Sequence, residues 1–149
     1  MLDLACGSGR HARYLAGLGH PVVAVDRDAG AIAGLQGWPG IVAESHDLEA
    51  EAWPLAGRLF AGIVVTNYLW RPRLPDVLAL LAPGGVLIYE TFMLGNEAYG
   101  KPSSPAFLLE PGELRRIVAA AGLREIEFVE GYVETPKPAM RQAICALRA

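Results

Sequence analysis

LDLACGSGRHARYLAGLGHPVVAVD, Leu2 to Asp26, reads in order as a strand, a glycine turn, a helix, a second strand and a carboxylate. Leu2 to Ala5 is a short apolar run broken by Cys6-Gly7-Ser8-Gly9. From Arg10 the apolar positions Ala12, Leu15, Ala16 and Leu18 fall at helical spacing, and Gly19 marks the stop. Pro21 follows, and Val22 to Val25 is a continuous apolar run of the kind a buried parallel strand shows. Asp26 closes it. This is one βαβ unit, and such units bind ligands at the carboxyl ends of their strands.

The chemistry follows from that placement. Gly7 and Gly9 let the backbone turn sharply and approach a ligand with no Cβ in the way. A helix starting near Ser8 or Gly9 aims its free N–H groups at the same place, where they favour a carboxylate or phosphate. Asp26, at the tip of the neighbouring strand, suits the two hydroxyls of a ribose. The unit therefore calls for an adenosine-type cofactor carrying an anionic group. The plain alternative is a tight turn beside a surface Asp.

Two cofactors fit. Gly7-Ser8-Gly9-Arg10-His11-Ala12 matches G-x-G-x-x-[GA], the pattern of a nicotinamide dinucleotide site and hence of an oxidoreductase. However, Asp3 stands in the strand before the loop, giving D-x-A-C-G-x-G. That pattern resembles motif I of the class I S-adenosylmethionine methyltransferases. The resemblance implies that the loop carries the methionine end of the cofactor and Asp26 its ribose. It departs at Ala5, where many members have a first glycine.

The 149 residues suffice for one domain around a single core, and with 52% hydrophobic and 19% charged residues the chain is expected to be globular. No apolar run is long enough to cross a bilayer and no charged-then-apolar leader is present, so a cytoplasmic protein is the expectation. A net charge of −3 gives no electrostatic reason to expect nucleic acid. Cys6 and Cys145 lack metal or redox spacing and read as packed thiols, so no metal is expected. Met1 lies directly before the first strand, where methyltransferases of this class usually carry a helix that helps cover the cofactor. The expectation is a single domain over residues 1–149 without that helix.

Farther along, Asp28 is a suitable N-cap for a helix over Ala29 to Gln36, weakened by Gly30 and Gly34. Ile41 to Ala43 reads as a third strand, followed by Glu44-Ser45-His46-Asp47-Leu48. The resemblance puts an acid here on the adenine amino group and the next apolar residue on the ring, matching Asp47 and Leu48. His46 reads as a loop histidine. Phe60 to Thr66 is a fourth, central strand that delivers Asn67-Tyr68-Leu69-Trp70 to the binding edge. A helix over roughly Pro75 to Leu81 follows, then a turn at Ala82-Pro83-Gly84-Gly85 and a fifth strand over Val86 to Thr91. The step Leu81 to Leu87, L-x-P-G-G-x-L, again resembles the family.

From Phe92 to Leu109 no pattern is visible, and a loop this long inside a domain is often a lid or substrate loop. A helix opens around Glu110-Pro111-Gly112-Glu113-Leu114 and stops at Gly122. Phe128 to Glu134 and Ala139 to Leu147 are read as strands, joined too closely to be anything but antiparallel. The expected fold is α/β, a Rossmann-like sheet of mostly parallel strands with an antiparallel C-terminal pair and helices on both faces. The resemblance spans the chain.

The cofactor the resemblance implies is S-adenosyl-L-methionine, held by Asp3, Ala5, Gly7, Gly9, Asp26, Arg27, Asp47, Leu48 and Asn67. Methyl transfer from it is an in-line displacement that depends on alignment and water exclusion, and it needs a general base only for a protonated nucleophile. No catalytic residue is assigned. Asn67-Tyr68-Leu69-Trp70 is not the Asn/Asp-Pro-Pro-aromatic motif of amide or base nitrogen methylation, and no Pro-Cys pair is present, which disfavours nucleic-acid bases. A small-molecule acceptor is expected, with Tyr68, Trp70, Glu90, Tyr99 and Tyr132 as candidate lining. Tellurite-resistance-type methyltransferases are among the family's members of similar size. The remaining alternative is a relative that binds the cofactor without turning it over.

Overall fold

In the computed structural model of the chain, which describes residues 1–149, the first strand β1 (Leu2–Leu4) is buried throughout. Leu2 and Leu4 point into one apolar cluster, while Asp3 points to the opposite face. The chain then runs through α1 (Arg10–Gly17), β2 (Val22–Asp26), α2 (Ala29–Ala33), β3 (Ile41–Ser45), β4 (Phe60–Thr66) and α3 (Leu74–Ala79). It finishes with β5 (Leu81–Phe92), α4 (Glu113–Ala120), β6 (Arg124–Val133) and β7 (Ala139–Leu147). The seven strands form one sheet in the order β3-β2-β1-β4-β5-β7-β6. The first five are parallel, and β7 pairs antiparallel with both β5 and β6. The order reverses between β1 and β4, which places a binding crevice over the carboxyl ends of β1, β2, β4 and β5.

Two apolar clusters hold the layers together. The larger packs Leu74, Val77 and Leu78 of α3 and Leu114 and Val118 of α4 against Leu4, Ile63, Val65, Leu87 and Tyr89 of the sheet. The smaller packs Ala12 of α1 and Leu35 after α2 against Val22, Ala24 and Ile41 on the other face. Helices thus cover both faces, but incompletely. Val86 and Ile88 of β5 share a face with Leu147 and Cys145 of β7, and Val129 of β6 extends the strip. This strip stays open, with Ile88 47% and Val129 57% exposed. No helix is long and apolar enough to cross a membrane.

Several boundaries differ from the sequence expectation, each for a physical reason. The second helix ends at Ala33 rather than Gln36, since Gly30 and Gly34 weaken it and Leu35 leaves it to fill the core at 0% exposure. Leu81 belongs to β5, paired with Phe60, and Ala82 to Gly85 form an irregularity between the Phe60 and Gly62 pairings. Its amide at Gly84 donates to the Arg148 carbonyl at 2.7 Å, which ties the bulge to the C-terminal segment. The fourth helix starts at Glu113 because Gly112 sits at φ +69°, a left-handed turn that no continuing helix holds. The sixth strand starts at Arg124, not Phe128. It is an edge strand whose charged residues, Arg124, Glu125 and Glu127, hide the alternation.

The stretch from Phe92 to Leu109 is folded onto itself. Its base is closed by Leu94 N–H to the Leu109 carbonyl (2.9 Å) and Leu109 N–H to the Phe92 carbonyl (3.0 Å). Two short 3-10 turns lie inside, Asn96–Ala98 and Pro105–Phe107. Asn96, only 2% exposed, donates to the Pro102 carbonyl (2.9 Å) and accepts from Met140 N–H (3.1 Å). Two oxygen and nitrogen bonds of one buried side chain so fasten the loop to its own middle and to β7.

Candidate cofactor and acceptor cavity

The crevice holds a cavity of about 350 Å³. Strand order gives it two halves. Over β1, β2 and β3 it is lined by Ala5, Asp26, Arg27, Asp47, Leu48 and Glu49. Over β4 and β5, and under the long loop, it is lined by Tyr68, Leu69, Thr91, Phe92, Pro102 and Phe107, with Asn67 between the halves.

The glycine turn is built as a frame for Asp26. Gly7 N–H donates to Asp26 Oδ2 at 2.8 Å, and Asp28 N–H to Asp26 Oδ1 at 2.9 Å. Each carboxylate oxygen keeps a lone pair free for a ligand hydroxyl. Gly7 (φ +56°) has no atom within 4 Å of where a Cβ would lie. Gly9 (φ +85°) differs, since a Cβ there would come within 2.6 Å of the buried Leu35 side chain. Gly7 therefore leaves room for a ligand, and Gly9 lets the turn pack on the core. Two non-glycine residues take positive φ, Ala5 (54°) and Asn67 (56°), at the ends of β1 and β4. Both line the cavity.

Behind the turn, Asp3 is 1% exposed and its Oδ2 has no hydrogen-bond partner. Burial raises its pKa to about 6, the Ala12 backbone amide lowers it in part, and the Asp26 charge adds to the rise. Burial likewise pushes the Cys6 thiol up to about 12, with the Asp3 and Asp26 charges adding to it. Cys6 is thus a half-buried thiol held in its protonated form. An orphaned carboxylate oxygen beside an open glycine fits the cationic end of a ligand, which supplies the missing donor.

In the far part of this half, Asp47 Oδ1 accepts from Glu49 N–H (2.9 Å), and Arg27 lies 3.8 Å from Glu49. Glu49 is a cavity residue that the sequence reading missed. An acid in a loop carries no signal of its own, and only the turn made by Asp47 brings it in. Tyr68 bridges the halves, its hydroxyl 3.5 Å from Glu49 Oε1. Burial, then the Glu49 charge and hydrogen bond, raise its pKa, so the phenol stays protonated. Its carbonyl accepts from the buried Tyr89 hydroxyl at 2.7 Å, which holds the chain after Asn67 in place.

The structure brings Ala5, Asp26, Arg27, Asp47, Leu48, Asn67 and Tyr68 to the cavity wall. Asp3, Gly7 and Gly9 shape the turn behind it. Four candidate acceptor residues, Trp70, Tyr99, Tyr132 and Glu90, lie elsewhere. Trp70 borders a small apolar gap with Leu4, Trp53, Leu74 and Tyr89. Tyr99 stands on the surface against Tyr132, ring centroids 5.4 Å apart. Glu90 is ion-paired, accepting from Arg141 Nε at 2.7 Å. Arg141 also donates to Asn67 Oδ1 (2.6 Å), and its guanidinium lies 4.4 Å from the centre of the Phe92 ring. One cation thus holds the ends of β4 and β5 together beside the cavity. Thr91, Phe92, Pro102 and Phe107 escaped the sequence reading, because the loop's course depends on bonds to distant residues.

The main such bond is a clasp at Arg71. Its Nε and Nη2 donate to Glu113 at 2.7 and 2.8 Å, and the same guanidinium donates to the Ala106 and Leu108 carbonyls at 3.1 and 2.8 Å. Burial opposes the Glu113 charge, but the Arg71 hydrogen bond and the Glu110 amide outweigh it and lower the pKa. Gln142, 0% exposed, accepts from Leu114 N–H (3.2 Å) and donates to the Glu110 carbonyl (2.6 Å), completing the anchor of α4.

Comparisons with known proteins bear on this arrangement. A family model described as a methyltransferase domain matches residues 1–85. No curated protein matches the chain. Among solved structures, TehB from Haemophilus influenzae is similar at 20% identity and TM-score 0.79, over 99% of this chain but 57% of its own. This chain thus spans little more than half of that protein's length. A S-adenosylmethionine dependent methyltransferase from Mesorhizobium loti has 17% identity and TM-score 0.76, covering 99% of this chain and 89% of its own. The N-methyltransferase NodS from Bradyrhizobium japonicum has 19% identity and TM-score 0.72, covering 99% and 84%. At these identities the likeness is one of fold.

Proposed function

The chain belongs to the methyltransferase domain family, and from that premise we propose that it transfers the methyl group of S-adenosylmethionine to a small-molecule acceptor. The observation that carries the reading is Asp26, held at the tip of β2 by the Gly7 and Asp28 amides and facing the cavity with a free lone pair on each oxygen. Such a carboxylate is suited to a ribose. Asp47 is the acceptor for the adenine amino group, and Leu48 supplies its apolar wall. The orphaned Asp3 oxygen and the open space at Gly7 suit the ammonium of the methionine end, and the first-turn amides of α1 suit its carboxylate.

When bound, the cofactor supplies an electrophilic methyl group on a sulfonium. The chain's work is then positional. Asn67 and Ala5, at the positive-φ ends of β4 and β1, line the cavity where its two halves meet, and there the reacting centre belongs. Pro102 and Phe107 from the long loop cover the acceptor half and keep water out. The Arg141 clamp on Asn67, Glu90 and Phe92 fixes the walls against which an acceptor aligns. The reading is of a cytoplasmic enzyme acting on a dissolved molecule, not on nucleic acid.

Calorimetric titration with S-adenosylhomocysteine, with NADH as control, tests it. Binding of the former alone is expected. Asp26→Ala is expected to weaken that binding by about 1.5–3 kcal/mol, the range for hydrogen bonds to a charged group. Binding of NADH instead, or an Asp26→Ala variant with an unchanged dissociation constant, would overturn the assignment.

A further inference from the structure

Resting on that reading, we infer that the acceptor is a flat, uncharged molecule whose attacking atom offers a lone pair without a proton to lose, so that methylation creates a cation. Two independent features of the cavity carry this. The first is the wall of the acceptor half, made by Tyr68, Leu69, Phe92, Pro102 and Phe107, whose hydroxyls are those of Thr91 and of Tyr68, the latter turned to Glu49. This is an aromatic and apolar slot that favours a flat apolar body, and its ring faces stabilise positive charge.

The second is the sign of the charge around it. The cavity is lined by three carboxylates, Asp26, Asp47 and Glu49, against the one guanidinium of Arg27, which is itself 74% exposed. The two arginines that hold the walls of the acceptor half are engaged: Arg141 is bound to Glu90 and Asn67, and Arg71 to Glu113 and two carbonyls. An oxyanion entering this half meets no cation in its wall, and the net charge of the cavity lining is negative. Nor does the acceptor half present a carboxylate or imidazole in its wall to remove a proton. The Tyr68 phenol, held protonated, does not serve as a base.

The step these features favour is simple. The acceptor's lone pair forms the new bond to the methyl carbon as the carbon–sulfur bond breaks, and that bond's electron pair passes to sulfur. Positive charge moves from sulfur to the acceptor, and no proton moves. The charge arrives beside an aromatic wall, in a cavity whose lining is net negative.

Three flat bicyclic probes of similar shape and different charge test this against the protein saturated with S-adenosylhomocysteine. They are N-methylquinolinium, quinoline and 2-naphthoate. Calorimetry is expected to rank them cation first, neutral second and anion last, with at least a tenfold gap between the first and the last. Phe107→Ala should weaken quinoline and N-methylquinolinium at least fivefold while leaving S-adenosylhomocysteine binding unchanged. Glu49→Gln should narrow the gap between cation and anion. Equal or tighter binding of 2-naphthoate, or no binding of any probe to the saturated protein, would sink the inference. Failure of S-adenosylhomocysteine itself to bind would instead strike the methyltransferase reading on which it rests.

Discussion

Asp3 sets a conflict between stability and binding within one side chain. Its carboxyl is buried and half-partnered, and its pKa stands at about 6 against 3.8 for the ordinary group. Because the folded value is the higher one, the folded state holds the proton more tightly than the unfolded chain. The stability this gives is present below about pH 4 and lost as pH rises through about 6, a loss approaching ~3 kcal/mol at 1.36 kcal/mol per unit. Asp3→Asn removes the titration. Urea denaturation should therefore show the variant gaining on the parent between pH 4 and pH 7, and a constant difference would assign the titration to another group. At neutral pH the same variant should bind S-adenosylhomocysteine more weakly, since the proposed function gives the charge that costs stability to the ligand's ammonium. The place of Asp26 and Asp47 on the cavity wall was legible, since both follow apolar strand runs. The ion pair of Glu90 was not, because its partner Arg141 lies on a strand 51 positions away.

Within the first βαβ element, the two glycines of one turn do different work. Gly9→Ala must accommodate a methyl group 2.6 Å from Leu35, at φ +85°. Left-handed strain of ~1–2 kcal/mol and overpacking of ~1–3 kcal/mol both apply. Gly7→Ala meets open space and carries the strain alone. Thermal denaturation should show Gly9→Ala as clearly the less stable of the two. Titration with S-adenosylhomocysteine should show Gly7→Ala losing affinity out of proportion to its stability. Equal effects of both variants on both measurements would mean the turn acts as one unit. The sequence carried the element itself plainly, since its hydrophobic period switches from strand to helix and back across Leu2 to Asp26. It did not carry β6, whose start at Arg124 is hidden by charged residues that an edge strand tolerates.

Across the whole molecule, Arg71 joins three regions far apart in the chain: the segment after β4, the long loop and the start of α4. Arg71→Ala leaves Glu113 unpaired at low exposure and frees the loop carbonyls. A loss of about 2 kcal/mol is expected, in the range for hydrogen bonds to a charged group and moderated by the partial exposure of the guanidinium. Hydrogen exchange should show the loss of protection concentrated between residues 100 and 115. Protection lost evenly over the sheet would mean the clasp stabilises the core rather than the loop. The class of the sheet, mostly parallel with an antiparallel end, was readable because parallel strands need crossover helices and the last two segments are joined too tightly for one. The loop's course was not readable, since no local pattern in GNEAYGKPSSPAFLL reports a guanidinium at position 71.

The loop leaves and rejoins the scaffold between the same two hydrogen bonds, Leu94 to Leu109 and Leu109 to Phe92. Its interior touches the acceptor half of the cavity, while its base touches neither Asp26 nor Asp47. In evolutionary terms it is a cassette. Outside the positions held by the base, by Asn96 and by the Arg71 clasp, its length and content are free to drift, because a longer loop costs little entropy once its ends are fixed. Lineages built on this scaffold would therefore diverge first in what they modify, and last in the molecule from which they take the methyl group.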